Sequence, residues 1–193
     1  MNDLHQTCIT VYCASSSAID ERYIIAAKEL GRKIALRNCA VVCGAGRQGL
    51  MGAVIDGALE ENGTTIGVIP QFMVDNNWHH PQLTHTIITP DMHQRKQRMA
   101  NLSQAVIALP GGCGTLEELL EIITWRQLGL YKGNIVILNT LNYYDNLIAM
   151  LDNAIQSRFM KPSHAQLWQV AETPEQAIEQ ALSNQQITIQ SKY

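Results

Sequence analysis

The 193-residue sequence lacks the features that would carry a chain into or across a membrane. No stretch approaches the roughly 20 apolar residues that a membrane-spanning helix needs, and the N-terminus lacks the basic start and long apolar run of a secretory signal. Positive charge is not in excess either: 14 Lys and Arg oppose 17 Asp and Glu, a net charge of −3. Nucleic-acid binders usually carry a concentrated positive excess. The sequence therefore predicts a cytoplasmic protein whose partners are neither membranes nor nucleic acids.

Cysteines are few, odd in number and never spaced as CxxC. Cys8, Cys13, Cys39 and Cys43 fall in apolar runs that we predict as strands, where a thiol packs as a small hydrophobe in a reducing compartment. The fifth, Cys113, lies in a glycine-rich turn. We expect no disulfide and no zinc or other metal site, and nothing in the sequence calls for a cofactor.

Short, almost wholly apolar runs alternate along the chain with longer helical patterns. This rhythm is typical of βαβ units, in which helices cover both faces of a parallel sheet. The runs begin near residues 8, 39, 64, 85, 105 and 134, and the helical patterns span about 20–38, 48–62, 92–103, 115–130, 143–158 and 174–184. We predict an α/β fold over residues 1–193: a single-domain, Rossmann-like, doubly wound parallel sheet flanked by helices, with a polar tail from about residue 184.

Three turns rich in small residues follow predicted strands. In open α/β sheets ligands bind beyond the carboxyl ends of the strands, and glycine lets backbone N–H groups approach an anion at a helix N-terminus. These turns therefore predict a phosphate-bearing ligand. Their candidate binding residues are Ser15 and Ser16 in the first turn, Gly44, Gly46 and Gly49 in the second, and Gly111, Gly112 and Gly114 in the third.

The second turn also matches the GxGxxG pattern of dinucleotide-binding proteins, which would suit an NAD-dependent oxidoreductase. That fingerprint expects an acidic residue about 20 positions on, at the end of the next strand. The next strand here ends Val68-Ile69-Pro70, without a carboxylate. The dinucleotide interpretation is therefore disfavoured.

The third turn leads into a helix that opens with Thr115 and continues to Glu118. This spacing fits a capping box, in which the two side chains bind the first N–H groups of the helix. Arg95, on the preceding helix behind the N-cap candidate Asp91, could share a pocket with Glu118 or lie on a solvated basic face. Cys113 could be a nucleophile at the helix N-terminus, although no histidine is an obvious base for it. The residues alone leave these alternatives open.

The longest irregular stretch covers residues 71–82 and contains Trp78, His79 and His80. It follows a strand and so begins at the ligand edge of the sheet, where long loops are often functional. It could form a lid over the site, or a surface excursion with two solvent histidines.

Residues 92–96 (MHQRK), followed by residues 110–118 (PGGCGTLEE), resemble the two motifs of the "lonely guy" family of cytokinin-activating phosphoribohydrolases. The turn at 44–52 and the serine turn at 15–17 match as well, so the resemblance covers most of the chain. Two positions depart from the family pattern, and a third falls at a variable position. Ala14 and Ala45 stand where glycine is usual, and Cys113 stands where tyrosine is frequent.

The resemblance implies a hydrolase that cuts the N-glycosidic bond of N6-substituted adenosine 5′-monophosphates, or of plain AMP, to release the base and ribose 5-phosphate. Carried over by motif position, Arg95 and Glu118 are the catalytic pair. Lys96 would help to bind the nucleotide, and the segment from Gly112 through Thr115 to Glu117 would wrap its phosphate and ribose. Met92 would contact the base, and Thr124 lies within reach on the same helix.

Cleavage of this bond builds positive charge on the sugar, which an ionised carboxylate stabilises. A helix N-terminus and a neighbouring Arg95 both favour the charged form of Glu118, so we expect it to stabilise charge and activate water. The residues do not assign a proton donor to the leaving base. They also leave open whether Arg95 orients Glu118 or holds the ligand.

Two rival functions remain. Sequences of this type are often labelled lysine decarboxylases, which would need pyridoxal phosphate on a lysine, and only Lys96 lies near the inferred site. The other rival is a non-catalytic nucleotide sensor or carrier.

The helix at 115–130 also bears on oligomeric state. We predict one apolar face with Leu116, Leu119, Leu120 and Ile123 and a second face with Ile122 and Trp125, which one sheet cannot cover together. Since the resembled family forms homodimers, we expect a homodimer here.

Overall fold

The computed structural model describes residues 6–184, which build one parallel sheet with helices on both faces. The sheet has seven strands in the order β4-β3-β2-β1-β5-β6-β7, and every neighbouring pair is parallel. The strands are β1 Cys8–Tyr12, β2 Ala40–Cys43, β3 Thr65–Pro70, β4 His85–Thr89, β5 Ala105–Ala108, β6 Asn134–Leu138 and β7 Gln169–Ala171. The predicted α/β fold is confirmed. The polar tail predicted from about residue 184 lies almost wholly outside the described residues.

The helices divide between the two faces of the sheet. On one face Leu30, Leu50 and Ile178 pack from α1, α2 and α7, and on the other Met99 and Leu119 pack from α4 and α5, together with α6. The helices are α1 Glu21–Leu36, α2 Gly49–Glu60, α3 Gln71–Asp75, α4 Met92–Leu102, α5 Cys113–Gln127, α6 Asp145–Gln156 and α7 Pro174–Ala181, with 3-10 turns at Thr140–Asn142 and Pro162–Gln166. Within residues 6–184, no helix has the length and apolarity that a membrane crossing requires.

Four short elements are missing from the sequence prediction: the two 3-10 turns, α3 and β7. The stretch 71–82, predicted as irregular, begins with α3, whose five residues are too few to show a helical period. The strand β7 has only three residues, below the length at which an apolar run is recognisable. In addition α5 begins at Cys113, two residues before the predicted start, because Gly112 is its N-cap.

Helices α1 and α2 lie unusually close together. A Cβ on Gly31 would come within 2.0 Å of the Val54 carbonyl oxygen, and a Cβ on Gly57 within 2.0 Å of the Lys28 carbonyl oxygen. Only glycine allows two helix backbones to approach this closely. The contact fixes α2, and with it the turn that joins β2 to α2.

The adjacent strands β1 and β5 send their chains to opposite faces of the sheet. The chain leaves β1 toward α1 on one face and leaves β5 toward α5 on the other. A crevice opens where such connections diverge, at the carboxyl ends of the strands. The backbone N–H of Ala14, after β1, donates to the carbonyl of Pro110, after β5, at 3.1 Å, which closes the floor of the crevice.

Candidate active site

A cavity of about 660 Å³ opens at the carboxyl edge of the sheet. It gathers most of the binding and catalytic residues predicted from the sequence, contributed by the turns after β1, β2 and β5 and by the start of α4. These are Ser15, Ser16, Gly44, Gly46, Met92, Arg95, Gly112, Gly114, Thr115, Glu117 and Glu118. The remaining walls are formed by residues that the sequence did not single out for binding, among them Arg47, Met51, Ile69, Met73 and Trp78.

Four predicted binding residues do not line the cavity. Gly49, with φ of +62°, lies under the serine turn, where a Cβ would come within 2.4 Å of a backbone oxygen. The carbonyl of Gly111 accepts a hydrogen bond from the Tyr143 hydroxyl at 2.7 Å. Thr124 is exposed, and its hydroxyl donates to a carbonyl of its own helix. The fourth, Lys96, points into the groove between α4 and α5.

The predicted pocket shared by Arg95 and Glu118 is present. Both residues are almost fully buried, 6% and 8% exposed, and Nη1 of Arg95 lies 3.1 Å from Oε1 of Glu118. The Nε–H of Arg95 donates to the carbonyl of Val68 in β3, also at 3.1 Å. The alternative that Arg95 lies on a solvated basic face is therefore wrong.

Gly44 makes room for this arginine. A Cβ at position 44 would lie 1.8 Å from Nη2 of Arg95, a distance that no real pair of atoms adopts without a bond. The next turn glycine, Gly46, donates its N–H to the thioether sulfur of Met51 at 2.9 Å. Gly44 thus leaves space for the guanidinium of Arg95, and Gly46 binds Met51. The sequence predicts phosphate binding for these glycines instead.

The capping box predicted from Thr115 and Glu118 is wrong. The N-cap of α5 is Gly112, and no side chain caps the helix. Thr115 therefore lies in the first turn and is buried, while the carboxylate of Glu118 binds Arg95 instead of reaching back to the cap. The spacing fits a capping box, but the burial of both side chains decides against it.

The first turn of α5 leaves hydrogen-bond donors free at the cavity. The first N–H with an acceptor is that of Leu116, which donates to the carbonyl of Gly112 at 3.0 Å. Within residues 6–184 no acceptor is present for the N–H groups of Cys113, Gly114 and Thr115. By contrast, an N–H in the first turn of α2 already donates to a carbonyl of the serine turn. Unpaired N–H groups at a helix N-terminus attract anions, so α5 offers the better anion site.

The pKa of Glu118 departs from our expectation. Burial raises it above the ordinary glutamate value of 4.5, and the opposing effect of the Arg95 charge does not cancel that rise. The charged form is therefore less favoured than helix position and ion pairing alone predict, because removal from water penalises a carboxylate strongly. Arg95 limits this penalty.

Two tyrosines that the sequence analysis did not single out hold the third glycine turn. The hydroxyl of Tyr143 donates to the carbonyl of Gly111 at 2.7 Å, and the hydroxyl of Tyr144 donates to the carbonyl of Leu109 at 2.6 Å. Both tyrosines follow β6, so their position after a neighbouring strand was the available signal. Cys113, in the same turn, is exposed and does not line the cavity, which argues against a catalytic thiol.

The segment 71–82 forms one wall of the cavity, through Met73 and Trp78. His80 is buried, and its Nε2 lies 3.0 Å from the carboxylate of Asp56 on α2. The interpretation of this segment as a surface excursion with two solvent histidines is therefore wrong for His80. The segment is anchored to α2 by that contact.

Comparison with known proteins agrees with the motifs. A family model described as "Possible lysine decarboxylase" matches residues 51–181. A cytokinin riboside 5′-monophosphate phosphoribohydrolase of Arabidopsis thaliana is 41% identical over 159 residues, covering 82% of this chain and 74% of the relative. One of Rhodococcoides fascians is 40% identical over 156 residues, covering 80% and 79%. The chain belongs to this phosphoribohydrolase family.

Solved structures of similar fold extend the comparison. The molybdenum cofactor binding protein of Rippkaea orientalis matches with a TM-score of 0.69 at 24% identity, over 91% of this chain and 95% of that one. The molybdenum cofactor carrier protein of Chlamydomonas reinhardtii matches with a TM-score of 0.68 at 23% identity, over 90% and 94%. At these identities the likeness shows the fold that the phosphoribohydrolase family shares.

The description of the family model as a possible lysine decarboxylase does not suit the lysine at this site. Nζ of Lys96 binds the carboxylates of Glu117 and, at 3.1 Å, Glu121. Burial opposes the charge of Lys96, but the two carboxylates outweigh burial and raise its pKa. A Schiff base to pyridoxal phosphate needs a deprotonated lysine in the cavity, and no lysine lines the cavity among the described residues. The residues do not fit that cofactor.

We predict that Gly44→Ala displaces Arg95 and destabilises the protein. The added methyl group overlaps the guanidinium, so the expected loss is about 1–3 kcal/mol of unfolding free energy, measured by urea denaturation. Gly46→Ala is the matched control, since its Cβ would meet only the flexible sulfur of Met51 at 3.0 Å. Equal stability of the two variants, with the Arg95–Glu118 contact intact in a crystal structure of Gly44→Ala, would contradict this account.

Proposed function

We propose that this protein hydrolyses the N-glycosidic bond of N6-substituted adenosine 5′-monophosphates, releasing the free base and ribose 5-phosphate. The observation that carries this proposal is the buried Arg95–Glu118 pair, placed beside the unpaired N–H groups of α5 in one cavity. Identity of about 40% to phosphoribohydrolases over most of the chain supports the same reaction.

The phosphate binds at the N-terminus of α5 in this proposal. The N–H groups of Cys113, Gly114 and Thr115 are unpaired donors, and a phosphate dianion would satisfy them while meeting the positive end of the helix dipole. Ser15 and Ser16 line the same cavity and supply hydroxyl donors from the turn after β1. This arrangement selects nucleotides over nucleosides.

The carboxylate of Glu118 faces the sugar and carries the chemistry. As the bond to the base stretches, positive charge develops on the ribose, and a carboxylate fixed beside it stabilises that charge and orients the attacking water. Arg95 acts on Glu118: it holds the carboxylate in position and favours its ionised form against the effect of burial. This assigns Arg95 a positioning role.

The second carboxylate, Glu117, lies at the cavity wall and binds the ribose. Lys96 does not reach the ligand itself but holds Glu117 through their ion pair. Met92, at the start of α4, contacts the base.

The chain works in the cytoplasm, consistent with its five free thiols.

We further propose a homodimer built on an exposed stripe of α5. Leu120 and Leu128 are 40% and 52% exposed, and with Leu116 and Thr124 they recur every four residues along one side of the helix. The faces predicted from the sequence were wrong in two respects. Ile122, assigned to the partner face, is buried in the core of its own chain, and Leu120, assigned to the sheet face, is exposed. A second copy of the chain would cover the leucine stripe.

Glu118→Gln is expected to lower the turnover of AMP by at least about 100-fold, since the amide cannot stabilise the developing charge, while AMP still binds. The effect is measured as the rate at which free base is released, which chromatography monitors. Glu179→Gln, which removes an exposed carboxylate on α7, is the control. Unchanged turnover in Glu118→Gln would contradict the assignment, and wild-type protein that binds AMP without consuming it would identify a carrier or sensor.

The rate should fall on the acid side at a higher pH than an ordinary glutamate would give. Activity needs the ionised carboxylate of Glu118, whose pKa is raised above 4.5, so activity is lost as pH falls through that raised value. The measurement is a profile of kcat/KM against pH. An acid limb at or below 4.5 would show that Glu118 is not the titrating group.

Leu120→Glu is expected to convert the dimer to a monomer, because it places a charge in the middle of an apolar contact. Light scattering at micromolar concentration gives the mass. Leu36→Glu, on an exposed position of α1 that is 63% exposed, should remain a dimer. A wild-type monomer, or loss of the dimer in both variants, would refute the stripe as the interface.

A further inference from the structure

The segment 77–80 is fixed to the turn between β2 and α2. Its backbone runs antiparallel to that turn, with a bridge between Gly46 and His79. The N–H of His80 donates to the carbonyl of Ala45 at 2.7 Å, and the N–H of Arg47 donates to the carbonyl of Trp78 at 3.2 Å. The segment is therefore a built wall of the cavity.

The side chain of Trp78 lines the cavity yet is 52% exposed. An indole is among the largest flat apolar surfaces that a protein can offer, and here half of it is left uncovered while its backbone is held on both sides. Ile69, Met73 and Met92 line the same part of the cavity. These apolar side chains, beside the polar Arg47 and Gln48 of the adjoining turn, contrast with the N–H groups and hydroxyls after β1 and β5.

The strand order separates the two parts of the cavity. Trp78 is held against the turn after β2, whereas the N-terminus of α5 follows β5, and these two strands lie two spacings apart in the order β2-β1-β5, about 10 Å at ~4.8 Å per spacing. Arg95 lies between them, because its guanidinium meets Gly44 after β2 and Glu118 of α5. A ligand with its phosphate at α5 and its glycosidic bond at Glu118 must extend its base toward Trp78.

We propose that Trp78 holds the nucleobase by stacking against it, and that this contact selects purine nucleotides. The inference rests on the proposed function for the identity of the ligand. A two-ring purine covers more of the indole than a one-ring pyrimidine. Stacking is tolerant of ring substituents, so an N6 group can extend past the edge of the indole toward solvent.

The test compares Trp78→Ala and Trp78→Phe with Phe72→Ala, which removes another half-exposed aromatic of the same segment that does not line the cavity. Trp78→Ala should raise the KM for AMP by about 10-fold or more, as loss of base stacking does elsewhere, with kcat little changed. The inhibition constant of ribose 5-phosphate, which has no base, should stay the same. Trp78→Phe should lie between, and Phe72→Ala should match the wild type.

Binding measured without turnover separates this inference from the proposed function. In the Glu118→Gln background, calorimetry should show that Trp78→Ala weakens AMP binding by the same factor by which it raises KM. The same substitution should weaken the binding of GMP more than that of CMP. If the wild type releases no base but Trp78→Ala still weakens AMP binding, the proposed hydrolysis is refuted and the proposed stacking is supported. Stacking is overturned if AMP does not bind, if Trp78→Ala and Phe72→Ala bind AMP equally, or if ribose 5-phosphate weakens as much as AMP.

Discussion

A guanidinium and a carboxylate that are both nearly excluded from water must satisfy each other, because either one alone in that place costs several kcal/mol. Arg95 and Glu118 meet this requirement with one contact, and Arg95 completes it on the Val68 carbonyl. The pair joins α4, α5 and β3 at one point. None of these elements can shift alone without exposing an unpaired charge, so the floor of the cavity is rigid before a ligand arrives.

The same two helices meet through a second pair of charges that has a different environment. Neighbouring residues on a helix point about 100° apart, so Arg95 and Lys96 diverge on α4 as Glu118 and Glu117 diverge on α5. One pair is buried in the cavity floor, and the other reaches the rim, where Glu117 is exposed. The Arg95–Glu118 pair therefore belongs to the reaction site, whereas the Lys96–Glu117 pair joins α4 to α5.

Most of the sheet follows from the sequence, because five of its six longer strands are almost unbroken apolar runs; the edge strand β4 is mostly exposed, and only two of its five residues are apolar. The meeting of Arg95 and Glu118 is one of two alternatives that the residues allow, since both elements begin at the carboxyl edge of a parallel sheet, and the family resemblance singled the pair out. The role of Gly44 and the raised pKa of Glu118 do not. Both depend on burial and on atomic distances between segments far apart in the chain. Thr115 illustrates the limit: its spacing to Glu118 fits a local cap, but a partner on another helix takes the carboxylate.

Gly44 couples two positions in the evolution of this fold. While Arg95 is retained, every side chain at position 44 meets the guanidinium, so selection against such changes acts through Arg95 and not through the ligand. Once a lineage loses the arginine, that restriction disappears and position 44 can drift. A side chain at this position in a related sequence therefore predicts that the arginine is absent or displaced in that protein.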